Sequence, residues 1–427
     1  MKKILSLFMM LLLVLGVLAA CGPDAQKETG GSSEGDTKGE EAAKPEKLVV
    51  WEDEKKAGWL DKVAADFEKE HGIKIEVKEV EMATKMRDSL RLDGPAGTGP
   101  DIVTLPHDQV GQVVTEGLIA ELNVEQEVKD RFSESSILAE TYDGKLYGLP
   151  KASETPVLIY NKALADEVPA TMEELYEKAK ELTSGEQYGF LALFDNYYFA
   201  HSVIGGMGGY VFQENEGVLD PKDVGLNNEG AVKGAEYIQK WYEEGLFPKG
   251  IIGENGGSAL DGLFNEGKVA YVMNGPWAFQ PYKDAGIDIG VAPLPKFESG
   301  EPMKTFMGVK GWHVSAFSKN QEWASTFIEY MTNDENALYR YEQTSEVPTN
   351  VALVEEPAIA ENEGAKAVAE QSQVAVPMPN IPEMAEVWKP MADSLQTLVT
   401  GKADAKSALD SAVNSINKNI EANHGGK

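Results

Sequence analysis

An α/β fold is what this 427-residue chain predicts, and two observations carry the prediction. The first stretch of the body alternates strand-like apolar runs with helix-spaced ones in the order strand, helix, strand, helix, strand. That order requires parallel strand pairing with crossover helices. From Leu48 onward, roughly 380 residues of ordinary hydrophobic content are too many for one core, so two lobes are expected.

The N-terminus comes first in the chain. Lys2 and Lys3 precede an apolar run from Ile4 to Leu18, then Ala19, Ala20 and Cys21. This is the order of a secretory signal, and its roughly fifteen apolar residues fall short of the roughly twenty of a membrane span. Placing the single Cys of the chain after two Ala resembles a bacterial lipoprotein box, which implies that Cys21 is the lipidated first residue of the mature protein; an ordinary cleaved signal with a free Cys is the alternative. Gly22 to Lys44 contains no aromatic or branched aliphatic residue and cannot bury enough surface to order itself. It reads as a tether between an anchor and a folded body. The expected division is 1–20 signal, 21–45 anchor and tether, and the body thereafter, working outside the cytoplasm at the cell membrane.

In the body, Lys47 to Trp51 is a buried-type strand, and Leu60, Val63, Ala64 and Phe67 recur at helical spacing before Gly72. Ile73 to Val80 alternates apolar and charged residues as a half-covered strand, and Asp101 to Leu105 is the next. Thr171-Met172-Glu173-Glu174 opens a helix with a capping box, and Asn228 to Gly245 is another, turning Ala235, Ile238, Trp241 and Tyr242 inward. A short helix over Ser258 to Gly267 leads into the strand Lys268 to Met273, which ends in Asn274-Gly275-Pro276-Trp277. Ligands in such sheets bind beyond the carboxyl ends of the strands.

Composition excludes several functions. A formal charge of −31 repels nucleic acid and anionic lipid surfaces, so the ligand is neutral or cationic. With Cys21 outside the body there is no thiol for a disulfide, and His71, His107, His201, His313 and His424 show no metal-ligand spacing. No metal or cofactor is expected. A Gly-x-Ser-x-Gly match at Gly31 to Gly35 lies in the tether, and Gly262 to Lys268 has Val269 where a phosphate loop needs Ser or Thr. Gly205 to Gly209 reads as a flexible turn.

Several motifs together identify a family. Gly99-Pro100-Asp101-Ile102 before His107-Asp108, Tyr142 to Leu146 before Pro150, Leu158 to Lys162, Asn274 to Trp277, and Met378-Pro379-Asn380-Ile381-Pro382 stand in the order found in maltose- and maltodextrin-binding proteins. The body resembles that family from Lys47 to Asn419. The resemblance implies a two-lobed, type II periplasmic-binding-protein-like fold, with the ligand in a cleft between lobes and a hinge of several crossings. It implies a monomeric receptor that binds maltose, maltooligosaccharides or cyclodextrins and delivers them to the membrane subunits of an ABC importer. The lobes implied are 46–152 with 311–360, and 153–306 with 361–427, with crossings near 151–153, 306–310 and 360–365.

By the same motifs, Trp277 and Trp388 look like stacking platforms, with Tyr197, Tyr198 and Phe199 presenting further rings. Glu54, Lys55, Asp108 and Glu154 look like polar clamps, Met378 an apolar wall, and Asp195 or Asn196 a hydroxyl partner. Trp312 either lines the cleft or packs the hinge. The chemistry fits a sugar, whose C–H faces stack on aromatic planes while its hydroxyls need carboxylate acceptors. Leu105, Gln109 and Ala392 depart from the family, standing where well-known members carry a Trp and two Arg. A different oligosaccharide is the alternative ligand. A glycoside hydrolase using Asp108 and Glu154 is the alternative activity, disfavoured because the eight repeats of a barrel are missing.

Overall fold

A computed structural model describes residues 44–215 and 218–425. The signal, Cys21 and nearly all of the tether lie outside the described residues, as do 216–217 and 426–427. Among the described residues, ten strands build two main sheets: β1 (Lys47–Glu52), β2 (Lys74–Glu79), β3 (Ile102–Pro106), β4 (Gly148–Glu154), β5 (Val157–Asn161), β6 (Tyr188–Leu191), β7 (Val269–Asn274), β8 (Ile289–Ala292), β9 (Phe306–Val314) and β10 (Val376–Pro377). The longer helices are α1 (Leu60–His71), α2 (Arg87–Ala96), α3 (Met172–Leu182), α4 (Tyr197–Gly206), α5 (Glu229–Glu243), α6 (Gly256–Asn265), α7 (Gln321–Met331), α8 (Asp334–Thr344), α9 (Glu363–Ser372), α10 (Ala385–Val399) and α11 (Ala405–His424).

The first sheet runs β10-β9-β3-β1-β2, with β4 pairing to β9. As the strand and helix order requires, β1 lies parallel to both β2 and β3. Its core joins Leu48, Val50 and Ile102 to Val63 and Phe67 of α1 and to Phe327 and Ile328 of α7. The second sheet runs β8-β5-β7-β6, under a core in which Phe190, Phe194, Trp241 and Phe247 meet at ring separations of 5.2 to 6.3 Å. Trp241 is fully enclosed, as the spacing of α5 requires. The chain leaves the first sheet between Glu154 and Val157 and returns to it between Ala292 and Phe306. The result is the two-lobed α/β fold expected of the sequence.

Helix caps follow the residues. Thr171 accepts from the Glu174 N–H, and the Glu174 carboxylate reaches back to the Ala170 N–H at 2.8 Å, one residue outside the usual capping box. The glycines at 205–209 are only partly a turn. Gly205 and Gly206 are the last residues of α4, and a Cβ on Gly206 would lie 2.7 Å from the Phe297 ring and 2.8 Å from the Pro302 carbonyl. Gly206 is a glycine because the loop before β9 packs directly on the helix backbone, while Gly208, with a φ of 108°, turns the chain after it.

Strand β9 returns the chain to the first sheet and joins it on two sides. It pairs antiparallel with both β3 and β4, and its register against β4 shifts between Lys310 and Gly311. Lys310 faces Ala152 and Gly311 faces Pro150, leaving Lys151 as the extra residue. Such a bulge re-aims side chains locally, and here two lysines sit at it.

Candidate functional site

The polar residues of interest converge from the ends of several elements. β3 ends in the turn His107–Gln109, β4 ends in Glu154, and β7 ends in the turn carrying Trp277. α4 begins with Tyr197 and Tyr198, α10 carries Trp388, and Met378 follows β10. These are carboxyl ends of strands and the loops beyond them, where α/β sheets present ligands with side chains.

Asp108 is almost enclosed. Burial pushes its carboxyl up to about 7, against a hydrogen bond from the Trp388 side chain and the charge of Arg87, which pull the other way. Trp388 thus comes from the far end of the chain to meet the β3 turn. The remaining edges of that ring face Phe306 at 5.9 Å and Tyr197 at 6.0 Å.

Glu154 lies 2.7 Å from the Lys310 Nζ. Burial raises its carboxyl and the Lys310 ammonium draws it back. Near both acids is Tyr198, whose hydroxyl is buried without a hydrogen-bond partner among the described residues and feels the charges of both. An enclosed hydroxyl with no partner costs about 1 to 3 kcal/mol, so this one marks a place that a polar ligand can satisfy. The Tyr198 ring is 6.1 Å from Trp277 and 6.3 Å from Phe306.

Trp277 is half-buried and held from behind. Its ring folds over Gly275, where a Cβ would approach the indole to 2.1 Å. Its carbonyl accepts from Lys56 Nζ at 3.2 Å, a contact between residues 221 positions apart. Met378 is enclosed, its carbonyl 3.0 Å from His107 Nε2, while His107 Nδ1 accepts from the Val309 N–H at 3.0 Å. Both ring nitrogens are therefore used, with the proton on Nε2. Burial draws His107 down to about 4, which keeps it neutral.

The structure brings Asp108, Glu154, Tyr198, Trp277, Trp388 and Met378 together. Other expected residues have different work. Trp312 is fully buried in the first core, with Trp59 at 6.4 Å and Lys151 Nζ over its ring at 4.6 Å, so it packs the lobe and does not line the cleft. Tyr197 shares a hydrogen bond between its hydroxyl and His201 Nδ1 at 2.9 Å, and Phe199 is buried behind Trp277. Asp195 accepts from the Gly253 N–H at 2.7 Å, and Asn196 caps α4 through the Tyr198 N–H. Glu54 and Lys55 are exposed, Lys55 with a φ of 63°. The lysine that reaches the Trp277 turn is Lys56, one residue on.

The structure adds three residues that no sequence motif marks: Lys310, Glu346 and Phe306. Lys310 carries a readable signal, because a lysine flanked by apolar residues in a strand cannot be buried without carboxylate partners. Glu346, 2.7 Å from Lys310 and 3.1 Å from Arg340, carries none. Phe306 stacks on His201 at 3.8 Å and also meets Trp388 and Tyr198. Among the described residues no cluster of His, Cys, Asp or Glu is placed to hold a metal. A separate open groove lined by Tyr188, Pro248, Ile251 and Leu263 lies at the opposite end of β6, away from these polar groups.

Comparison with known proteins places this arrangement. Residues 62–367 match the model for bacterial extracellular solute-binding proteins. The chain is 49% identical to a galactooligosaccharide-binding protein of Bacillus subtilis (strain 168), covering 100% of both chains. It is 36% identical to the maltodextrin-binding protein MdxE of the same organism, over 88% of this chain and 90% of that one. A solved cyclo/maltodextrin-binding protein complexed with maltotetraose superposes with a TM-score of 0.77 at 41% identity, covering 90% of this chain and 100% of the other.

Proposed function

Because the chain belongs to the bacterial extracellular solute-binding proteins, we propose that its cleft binds a neutral oligosaccharide of the maltodextrin type and delivers it to the membrane subunits of an ABC importer. The observation that carries this reading is the partnerless Tyr198 hydroxyl near the Asp108 and Glu154 carboxyls, with the Trp277 ring beside it. A sugar satisfies all of these at once: its hydroxyls donate to the carboxylates and pair with the phenol, and its C–H faces lie on the indoles.

Lobe closure supplies the rest of the mechanism. Asp108 comes from the first sheet and Tyr198 and Trp277 from the second lobe, so a ligand touching all three favours the closed arrangement by its differential contacts. The hinge lies near 151–153, 306–310 and 360–365. The lobes divide as 46–152 with 311–360 and 153–306 with 361–427. The receptor is a monomer, held outside the cell by lipid on Cys21. It performs no catalysis, since its work ends with release to the importer.

A second reading, galactooligosaccharides, is favoured by the 49% identity over the whole chain to a galactooligosaccharide-binding protein. Gln109, at one of the departures from the maltodextrin pattern, spends its amide on the Ala83 carbonyl at 2.9 Å, so no guanidinium donor stands there. Calorimetric titration of residues 45–427 with maltose, maltotriose, maltotetraose, a cyclodextrin and a galactotriose decides between them. Saturation at one site by the glucans, with no new reducing ends over time, is expected. Heat from the galactose series alone transfers the assignment to the second reading.

A further inference from the structure

We propose that Lys310 is a positioning residue for ligand binding: from the strand that returns the chain to the first sheet, it keeps the Glu154 carboxylate charged and open toward the ligand. This role rests on the oligosaccharide reading of the cleft and goes beyond it by naming a residue that need not touch the sugar.

The geometry is that of a relay. The Lys310 ammonium is buried at the β9 bulge, 2.7 Å from Glu154 on the cleft side and 2.7 Å from Glu346 on the other. Glu346 is held in turn by Arg340 at 3.1 Å, and Arg340 donates to the Lys151 carbonyl at 2.5 Å. Lys151 pairs with Glu52 at 2.5 Å, deep in the first lobe. The Lys310 ammonium also stands 5.7 Å from the centre of the Trp277 ring. One buried cation thus touches the candidate acceptor, approaches the candidate stacking ring and is anchored in the opposite lobe.

Both carboxylates hold Lys310 at 2.7 Å. Glu346 is further occupied by Arg340. Glu154 has Lys310 as its ion-pair partner, and a carboxylate oxygen that holds one ammonium keeps a second lone pair for a ligand hydroxyl. The charge is needed all the same. Burial alone favours the neutral acid at Glu154, and Glu346 and Asp53 push the same way, with Asp108 and Tyr198 the other titratable groups facing it. Lys310 is the cation that opposes them. Without it, Glu154 takes a proton and ceases to be a charge-assisted acceptor.

The test compares wild type with Lys310→Met and Lys310→Arg. In ligand-free protein carrying ¹³C-labelled glutamate, the Glu154 resonance should titrate at higher pH in Lys310→Met than in wild type and return toward wild type in Lys310→Arg. An unmoved titration overturns the proposal, whether or not a sugar binds. Titration with maltotetraose then reads the consequence. Affinity near neutral pH should fall about ten- to a hundred-fold in Lys310→Met, recover in part as pH is raised, and be largely restored in Lys310→Arg. Equal loss at every pH, or no rescue by arginine, makes Lys310 merely structural and overturns the proposal. Wild type silent toward the glucans and the galactose series overturns instead the reading of the cleft, and the resonance titration still decides the role of Lys310.

Discussion

At the residue scale, the cleft acids make ligand affinity depend on pH in a definite direction. Burial holds the Asp108 carboxyl at about 7, and a sugar hydroxyl donates to its ionised form. Binding therefore releases a proton, and affinity rises as pH rises through that value. Between about pH 6 and about pH 8 the ionised fraction of a group titrating near 7 changes about ten-fold, and affinity should follow. Calorimetry across that range checks it, and Asp108→Asn should bind more weakly with a flatter profile. Trp388→Ala should weaken binding by about 2 to 3 kcal/mol through lost stacking and burial. Unchanged affinity in that variant would confine Trp388 to holding Asp108. Single residues are legible in the sequence where a side chain is large and follows a rigid turn, as with Trp277. They mislead where neighbours share a run. Tyr197, Tyr198 and Phe199 are indistinguishable in composition, yet only Tyr198 turns its unpaired hydroxyl toward the acids, because helical rotation sends the other two into the core. The displacement from Lys55 to Lys56 has the same origin, since a left-handed residue at Lys55 reverses the local direction of the chain in a way no pattern of charges announces.

At the element scale, the turn after β7 and the strand β9 position the site. Gly275→Ala should displace the Trp277 ring, whose atoms lie 2.1 Å from the added methyl. The expected outcome is at least a ten-fold loss of affinity with little change in melting temperature, because the ring is half-buried and has room to swing. His107 ties β9, the β3 turn and Met378 together as a neutral ring held down to about 4. A histidine whose folded value lies below its unfolded 6.5 binds fewer protons when folded, so its contribution is present above 6.5 and lost as pH falls toward 4. The loss from neutrality to about pH 5 is about 2 kcal/mol. Urea unfolding at the two pH values should show a smaller difference in His107→Gln than in wild type, on a lower overall stability. Elements themselves are largely readable: strands β1, β2, β3 and β7 and helices α1, α3, α5 and α6 lie where apolar spacing and caps put them. Gly206 is not, because its reason is the close approach of Phe297 and Pro302, nearly a hundred residues away in the chain.

At the scale of the whole molecule, two lobes follow from the number of residues a single core can hold, while their discontinuous make-up follows only from resemblance. Periodicity gives elements, and it is blind to which sheet a strand joins. β9 illustrates this, since it is a long apolar strand whose role depends on pairing with β3 and β4. If closure around the ligand is the working motion, saturating maltotetraose should reduce the radius of gyration measured by X-ray scattering. An identical radius with and without ligand would leave a receptor without a signal for its importer. The large excess of acid over base, 70 residues against 39, favours solubility through mutual repulsion.

A sugar seated between Asp108, Glu154, Tyr198 and the two indoles must lose affinity when one indole is removed. Calorimetric titration of residues 45–427 with maltotetraose, wild type beside Trp277→Ala, measures that loss most directly. One site per chain in wild type, weakened about thirty-fold or more in the variant, is the expected outcome. Equal affinity in both proteins would place the ligand elsewhere and contradict this seating.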